Sequence, residues 1–291
     1  MEIPRRPQLN SRLLGLLLLT HPGPVLLHIV AVSIFALLAA WPHFAWSVLA
    51  FAIGAHAVMQ LSISFINDYC DRGQDAREKP SKPIPSGLVS PRAALVLGLL
   101  MIVLMAILLI PLPPLAWAIS LAYLALGQAY NLGLKSTPFS GIVFALAMPL
   151  IPLYAFAALG RLLAMLFWLV PLGFLLGVAI NLVDSLPDLE GDAKNGARTL
   201  AVVLGIRRSF LASRLLIVAS AMLITLLWLT GLIHVQPWIL ALTLALACVG
   251  FAFMLLFFGP DRPGGTRRGY FYVVVCTCLT LVGGWLIGVF A

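Results

Sequence analysis

Nine times along this chain the sequence runs for roughly 20 residues without an Asp, Glu, Lys or Arg, the length an α-helix needs to cross bilayer hydrocarbon. The runs fall at 22–41, 44–66, 93–110, 115–134, 138–160, 162–183, 215–233, 237–258 and 270–290. Composition agrees: 62% of the 291 residues are hydrophobic, 10% are charged, and mean hydropathy is +1.07, outside what a water-soluble domain tolerates. The expected fold class is all-α, a polytopic membrane protein of nine transmembrane helices forming a single domain over 1–291. Lys and Arg in short loops stay on the cytoplasmic side. With the amino terminus inside, Arg5, Arg6, Arg12, the cations of 72–92, Lys135, those of 194–214 and those of 262–268 all fall inside, and Arg161 alone falls outside. The net charge of +8 therefore reads as topology and contact with anionic lipid, not as a nucleic-acid surface. No small-residue cleavage site follows the amino-terminal stretch, so the first span is expected to stay in the protein. The four cysteines have no zinc-ligand spacing and read as reduced packing residues.

Against this apolar background the acids stand out. Of ten, eight form two groups: Asp68, Asp71, Asp75 and Glu78, then Asp184, Asp188, Glu190 and Asp192. Each group begins where a span ends on the inside face, after Ile66-Asn67 and after Ile180-Asn181. If the second span continues as a helix, Asn67, Asp68, Asp71 and Asp75 fall within an arc of about 100°. Asn181, Asp184, Asp188 and Asp192 would fall within about 80° on the same reckoning. Pro187, however, is able to end that helix, and Ser185-Leu186-Pro187-Asp188 reads equally well as the cap of a new one.

Carboxylates this crowded repel one another and need a counter-charge. Magnesium meets that need with one or two carboxylates while leaving positions for substrate phosphates. Two facing carboxylate stripes thus point to a magnesium-bound diphosphate. Asn67, Asp68, Asp71, Asp75, Asp184, Asp188 and Asp192 are the candidate metal ligands, with Asp68, Asp71, Asp184 and Asp188 closest to the chemistry. Cations at the edges, Arg72, Arg77, Lys79, Lys82, Lys194 and Arg198, are suited to the outer oxygens of a diphosphate. Pro80, Pro83 and Pro85 stiffen the loop that carries the two lysines. Tyr130 and Lys135, at the inside end of the fourth span, lie at the same level and join the candidate site, as does Asn181. His21, His28 and His56 read as packing or cavity-lining groups with no assigned role. Three rival readings use the same acids: an ion or metal transporter, a non-catalytic lipid-binding scaffold, and a membrane phosphotransferase, whose contiguous Asp-Gly-x-x-Ala-Arg signature the sequence lacks.

These residues resemble the UbiA superfamily of intramembrane prenyltransferases. The first hallmark, Asn-Asp-x-x-Asp-x-x-x-Asp, stands as Asn67, Asp68, Asp71 and Asp75; the second, Asp-x-x-x-Asp-x-x-x-Asp, as Asp184, Asp188 and Asp192. Lys79-Pro-Ser-Lys-Pro-Ile-Pro-Ser-Gly87, the Tyr130 to Lys135 segment and Gly191 to Leu200 extend the likeness. It implies nine helices around a central cavity open to lipid, under a cytoplasmic cap. It also implies two magnesium ions bridging the aspartates and a polyprenyl diphosphate, transfer of the prenyl group to a hydrophobic acceptor, expected to be aromatic, and a place in the cell inner membrane. Relatives of this superfamily act on several aromatic acceptors, on tetrapyrroles and on glycerol-phosphate lipids. Two departures stand out: Lys82 where many relatives carry Arg, which removes a bidentate fork, and His21-Pro22 where Arg-Pro is common.

Overall fold

The computed structural model describes residues 9–290, and the regular structure among them is entirely helical. Arg5 and Arg6, used above to orient the chain, lie outside the described residues. In chain order the α-helices are α1 Leu9–Leu19, α2 Pro22–Ala40, α3 Trp46–Glu78, α4 Pro91–Leu109, α5 Pro114–Asn131, α6 Ser140–Ala147, α7 Leu150–Ala158, α8 Leu169–Asp184, α9 Leu189–Lys194, α10 Leu200–Leu229, α11 Pro237–Phe257 and α12 Arg267–Phe290. Local chemistry sets several starts. The Ser90 hydroxyl accepts from the Ala93 N–H at 3.2 Å ahead of α4, and Thr199 does the same for Val202 ahead of α10. Helices α2, α4, α5 and α11 carry proline in the first turn, where its missing N–H leaves no bond unmade.

By length and apolarity, eight segments among the described residues are able to cross a membrane, with α6 and α7 counted as one crossing. The ninth expected run coincides with α5, whose last turn holds Gln128, Tyr130 and Asn131. The run at 138–160 is broken: α6 stops before Met148-Pro149 because proline cannot donate the next helical bond, and α7 resumes at Leu150. Helix α3 is the longest element. Its 33 residues rise about 50 Å, against about 30 Å of hydrocarbon, so its last turns stand clear of the bilayer core and carry Asp68, Asp71 and Asp75 with them. The first acid group is therefore one continuous helical stripe. The second is not. Helix α8 ends at Asp184, the chain turns through Pro187, and α9 begins with Asp188 at its N-cap position.

Packing in a bilayer depends on close approach and on interhelical hydrogen bonds. Gly177 supplies the first between α8 and α6: a Cβ there would sit 2.4 Å from the Phe144 carbonyl oxygen. A seam between α3 and α5 supplies the second. Asn67 donates to Asn131 Oδ1 at 3.0 Å, Asn131 donates to the Ile63 carbonyl at 2.9 Å, and Gln128 donates to the Ser62 hydroxyl at 3.4 Å. On the side away from the acids, Arg161 donates to the carbonyls of Ala39, at 3.0 Å, and Trp41, where α2 ends. Trp285, Tyr154, Tyr270, Phe156 and Phe210 are the largest fully buried side chains of the core.

Candidate active site

A cavity of about 310 Å³ opens among α2, α6, α7, α8 and α12. Its wall is almost wholly apolar, with His21 and Asp184 at the end where the acids lie and Phe35 at the far end of α2. Asp184 is the one candidate metal ligand on the cavity wall itself. Asp68 reaches the mouth through a neighbour. The His21 Nε2 donates to Asp68 Oδ1 at 2.9 Å, with His21 held at φ 49° at the head of α2.

The stiff lysine loop closes over α3. Lys82 Nζ donates to both Asp68, at 2.9 Å, and Asp75, at 2.8 Å, two carboxyls that are themselves buried. Burial alone would pull the Lys82 ammonium down, but the hydrogen bonds and charges of Asp68 and Asp75 outweigh it and raise its pKa. Lys135 binds Asp71. Lys79 Nζ crosses to the second group and donates to Asp188 Oδ2 at 2.8 Å. Further ties hold the two groups together: Asn195 contacts the Glu78 carboxylate, and the Arg198 N–H donates to Ser136 O at 2.8 Å, beside Lys135.

Tyr130 lies within electrostatic reach of Asp71, Asp184, Asp188 and Asp192, so both acid groups surround one space. Asp192, outside the spans, shows the strain of that crowding. Its pKa is pushed up to about 6, by burial first and then by repulsion from Asp188 and Glu78, with Lys79 and Lys135 offsetting part.

A second brace holds α9 to the bundle. Arg267 grips Glu190 in a two-point contact at 2.6 and 2.7 Å and donates to the Leu186 carbonyl at 3.0 Å. The Glu190 carboxyl is held below its ordinary range by the hydrogen bond from Arg267, against some burial.

Not every predicted site residue joins this constellation. Asn67 donates its amide N–H to Asn131 Oδ1, which leaves its own Oδ1, the atom a metal would take, uncommitted. Asn181 is fully buried and accepts from Ser140 at 3.2 Å, facing α6 and not the cavity. Tyr130 does stay with the acids, packed edge-on against Phe144 of the cavity wall with ring centres 5.5 Å apart. Arg72 is exposed and lies 4.3 Å over the Tyr69 ring, and Lys194 is exposed on α9. Lys79 and His21 carry more of the geometry than the sequence assigned them. The only advance signal for His21 was its place where relatives carry Arg.

Among the described residues no three His, Cys, Asp or Glu side chains converge as a ready-made metal cage. The donor set still fits magnesium. It is made of hard carboxylate oxygens, the lysines that now pair with Asp68, Asp71, Asp75 and Asp188 are counter-charges a divalent ion can replace, and magnesium ordinarily takes its remaining ligands from phosphate and water.

The family model described as UbiA prenyltransferase family matches residues 26–288. A digeranylgeranylglyceryl phosphate synthase of Natronomonas pharaonis is 35% identical over 207 residues, covering 70% of this chain and 73% of that protein. One of Methanopyrus kandleri is 32% identical over 203 residues, covering 70% and 74%. A solved UbiA homolog from Archaeoglobus fulgidus bound to GPP and Mg2+ shares the fold, with a TM-score of 0.69 at 17% identity, covering 93% of this chain and 98% of that one.

Proposed function

Since the chain belongs to the UbiA prenyltransferase family, we propose that it transfers a prenyl group from a polyprenyl diphosphate to the hydroxyl of a glycerophosphate-type lipid, with magnesium, at the cytoplasmic face of a cell membrane. The observation that carries this reading is the meeting of the two aspartate groups at the mouth of one apolar cavity, with Lys79 bridging from the first loop to Asp188. The names of the relatives from N. pharaonis and M. kandleri favour a glyceryl phosphate over the aromatic acceptor that the motifs alone led us to expect. The transporter alternative loses its footing, because the acids gather at one end of the bundle and the chain is a prenyltransferase by family.

Asp68, Asp71 and Asp75 on one side and Asp184, Asp188 and Asp192 on the other are the residues that would hold the metal, one ion to each group in our reading. When bound, magnesium neutralises the diphosphate and makes it a better leaving group. Lys79, Lys82 and Lys135, released from their carboxylates, are placed to take the outer diphosphate oxygens and stabilise the charge that grows there. The bond from the first prenyl carbon to the diphosphate oxygen breaks with its electron pair going to diphosphate. A new bond forms from that carbon to the acceptor oxygen, and the acceptor's proton leaves. The apolar wall receives the prenyl tail and keeps water from the allylic cation. The stiff loop from Lys79 to Gly87 and the short helix α9 form the cap over the mouth in this account.

Purified protein in lipid, given geranylgeranyl diphosphate and magnesium, should release diphosphate when a prenylated glyceryl phosphate is added and stay silent with EDTA. Turnover with 4-hydroxybenzoate and none with any glyceryl phosphate would restore the aromatic acceptor.

A further inference from the structure

Partway along the cavity a polar cluster interrupts hydrocarbon, and nothing in the chemistry above uses it. Between His21 at the mouth and Phe35 at the far end, α2 rises about 21 Å along the cavity, and His28 stands halfway. Behind it lies His56 of α3, 1% exposed, with the two ring centres 6.0 Å apart. His56 sits about 18 Å along α3 from Asp68, near the middle of the bilayer. The Tyr123 ring closes on both imidazoles, edge-on, at 6.3 and 5.5 Å.

The hydrogen bonding of this cluster is incomplete. The Gln60 amide Nε2 meets His56 Nε2 at 3.3 Å, which makes that ring nitrogen the acceptor and leaves the proton on Nδ1. That Nδ1 has no partner, nor has Nδ1 of His28. Two imidazoles deep in a bundle, each with an unmet buried nitrogen, are a poor way to fill a core that Leu or Phe would fill without cost. Intramembrane ionisable groups that border a cavity mark the path of a polar ligand group.

Resting on the glycerophosphate reading above, we propose that His28, seated on His56, is a hydrogen-bonding subsite for a hydroxyl or ether oxygen of the lipid acceptor. A prenyl chain is pure hydrocarbon past its first carbon and has no use for an imidazole on the wall. A glyceryl lipid carries hydroxyl and ether oxygens on the carbons next to its headgroup. His28 is thereby a specificity-determining residue: it separates an oxygen-bearing acceptor from a second hydrocarbon tail competing for the same wall.

Two measurements test this. In the transfer assay His28→Phe should raise KM for the glyceryl phosphate acceptor about tenfold, one hydrogen bond's worth, with KM for the donor unchanged, and His28→Gln should recover most of the loss. Equal KM values in wild type and His28→Phe would overturn the proposal, as would a rise in both KM values together. The second measurement needs no turnover, so it stands even if the transfer reaction itself is misassigned. In protein carrying ¹⁵N-labelled histidine, 1-O-hexadecylglycerol should move the ring resonances of His28 and His56, assigned by His28→Gln, while hexadecane should not. Resonances that respond to neither probe, or to both alike, would overturn it.

Discussion

Lys79 Nζ lies 2.8 Å from Asp188 Oδ2, so the loop that follows the first aspartate helix is fastened directly to the second aspartate group. The two groups are 109 residues apart in sequence for this pair, and their meeting defines the site. Every lysine in it is paired with a carboxylate, which offsets part of the acidic charge of the ligand-free site. Binding of a metal diphosphate is then an exchange of partners and not the filling of a bare acidic pit.

Asp71→Asn or Asp188→Asn removes one carboxylate charge without changing side-chain volume. Each should lower turnover by about 10²-fold or more, the scale of losing one preorganised electrostatic group, while Tm in detergent shifts by no more than a few degrees. Steady-state diphosphate release and a thermal melt check both halves.

Lys82→Met should destabilise the ligand-free protein by about 3 kcal/mol, because it strips the shared partner from two buried carboxyls. Magnesium with diphosphate supplies a replacement charge, so most of the lost Tm should return when both are added. Thermal melts with EDTA and with magnesium diphosphate decide this.

The Asp192 pKa of about 6 sets a pH dependence with a definite sign. Below about pH 6 this carboxyl holds a proton that a divalent ion must displace, so the magnesium concentration giving half-maximal activity should rise as pH falls from 7 to 5. Its folded pKa lies above the ordinary value of 3.8, so ionising it costs the folded state stability as pH rises through that interval. Asp192→Asn should therefore gain Tm over wild type at pH 7 and show no gain once the pH is below the ordinary value of 3.8.

Arg267→Ala should loosen α9 and with it Asp188 and Asp192, lowering kcat/KM about tenfold with little change in Tm, since the Glu190 partner is more than half exposed. The charge swap Arg267→Glu with Glu190→Arg should recover part of the activity that either single reversal loses. A double-mutant cycle on kcat/KM checks it.

Much of this was legible in the sequence because bilayer physics leaves so few choices. Uncharged runs marked the crossings, and the three- and four-residue spacings of Asp68, Asp71 and Asp75 fitted a helix that outlasts its span, as α3 does. Pro187 left the second group open between one helix and two, and the structure took the second option, because α9 packs through Arg267 against α12, a contact 77 residues away that no local pattern reveals. The same limit hid the partner of Lys79 and the role of Asn67, whose amide serves Asn131 on another helix. His21, His28 and His56 gave no periodic signal at all. Their meaning comes from which surfaces α2 and α3 turn toward the cavity, and that is set by tertiary packing.

Whether both aspartate groups grip one diphosphate is decided by a structure of the protein with magnesium and geranylgeranyl thiolodiphosphate, a donor that ionises too slowly to react. Metal density is expected in contact with Asp68 or Asp71 and with Asp184 or Asp188, with one diphosphate held between them and the prenyl chain lying in the apolar cavity. A diphosphate seated on one aspartate group with the other still paired to its lysine, or bound outside the cavity mouth, would contradict it.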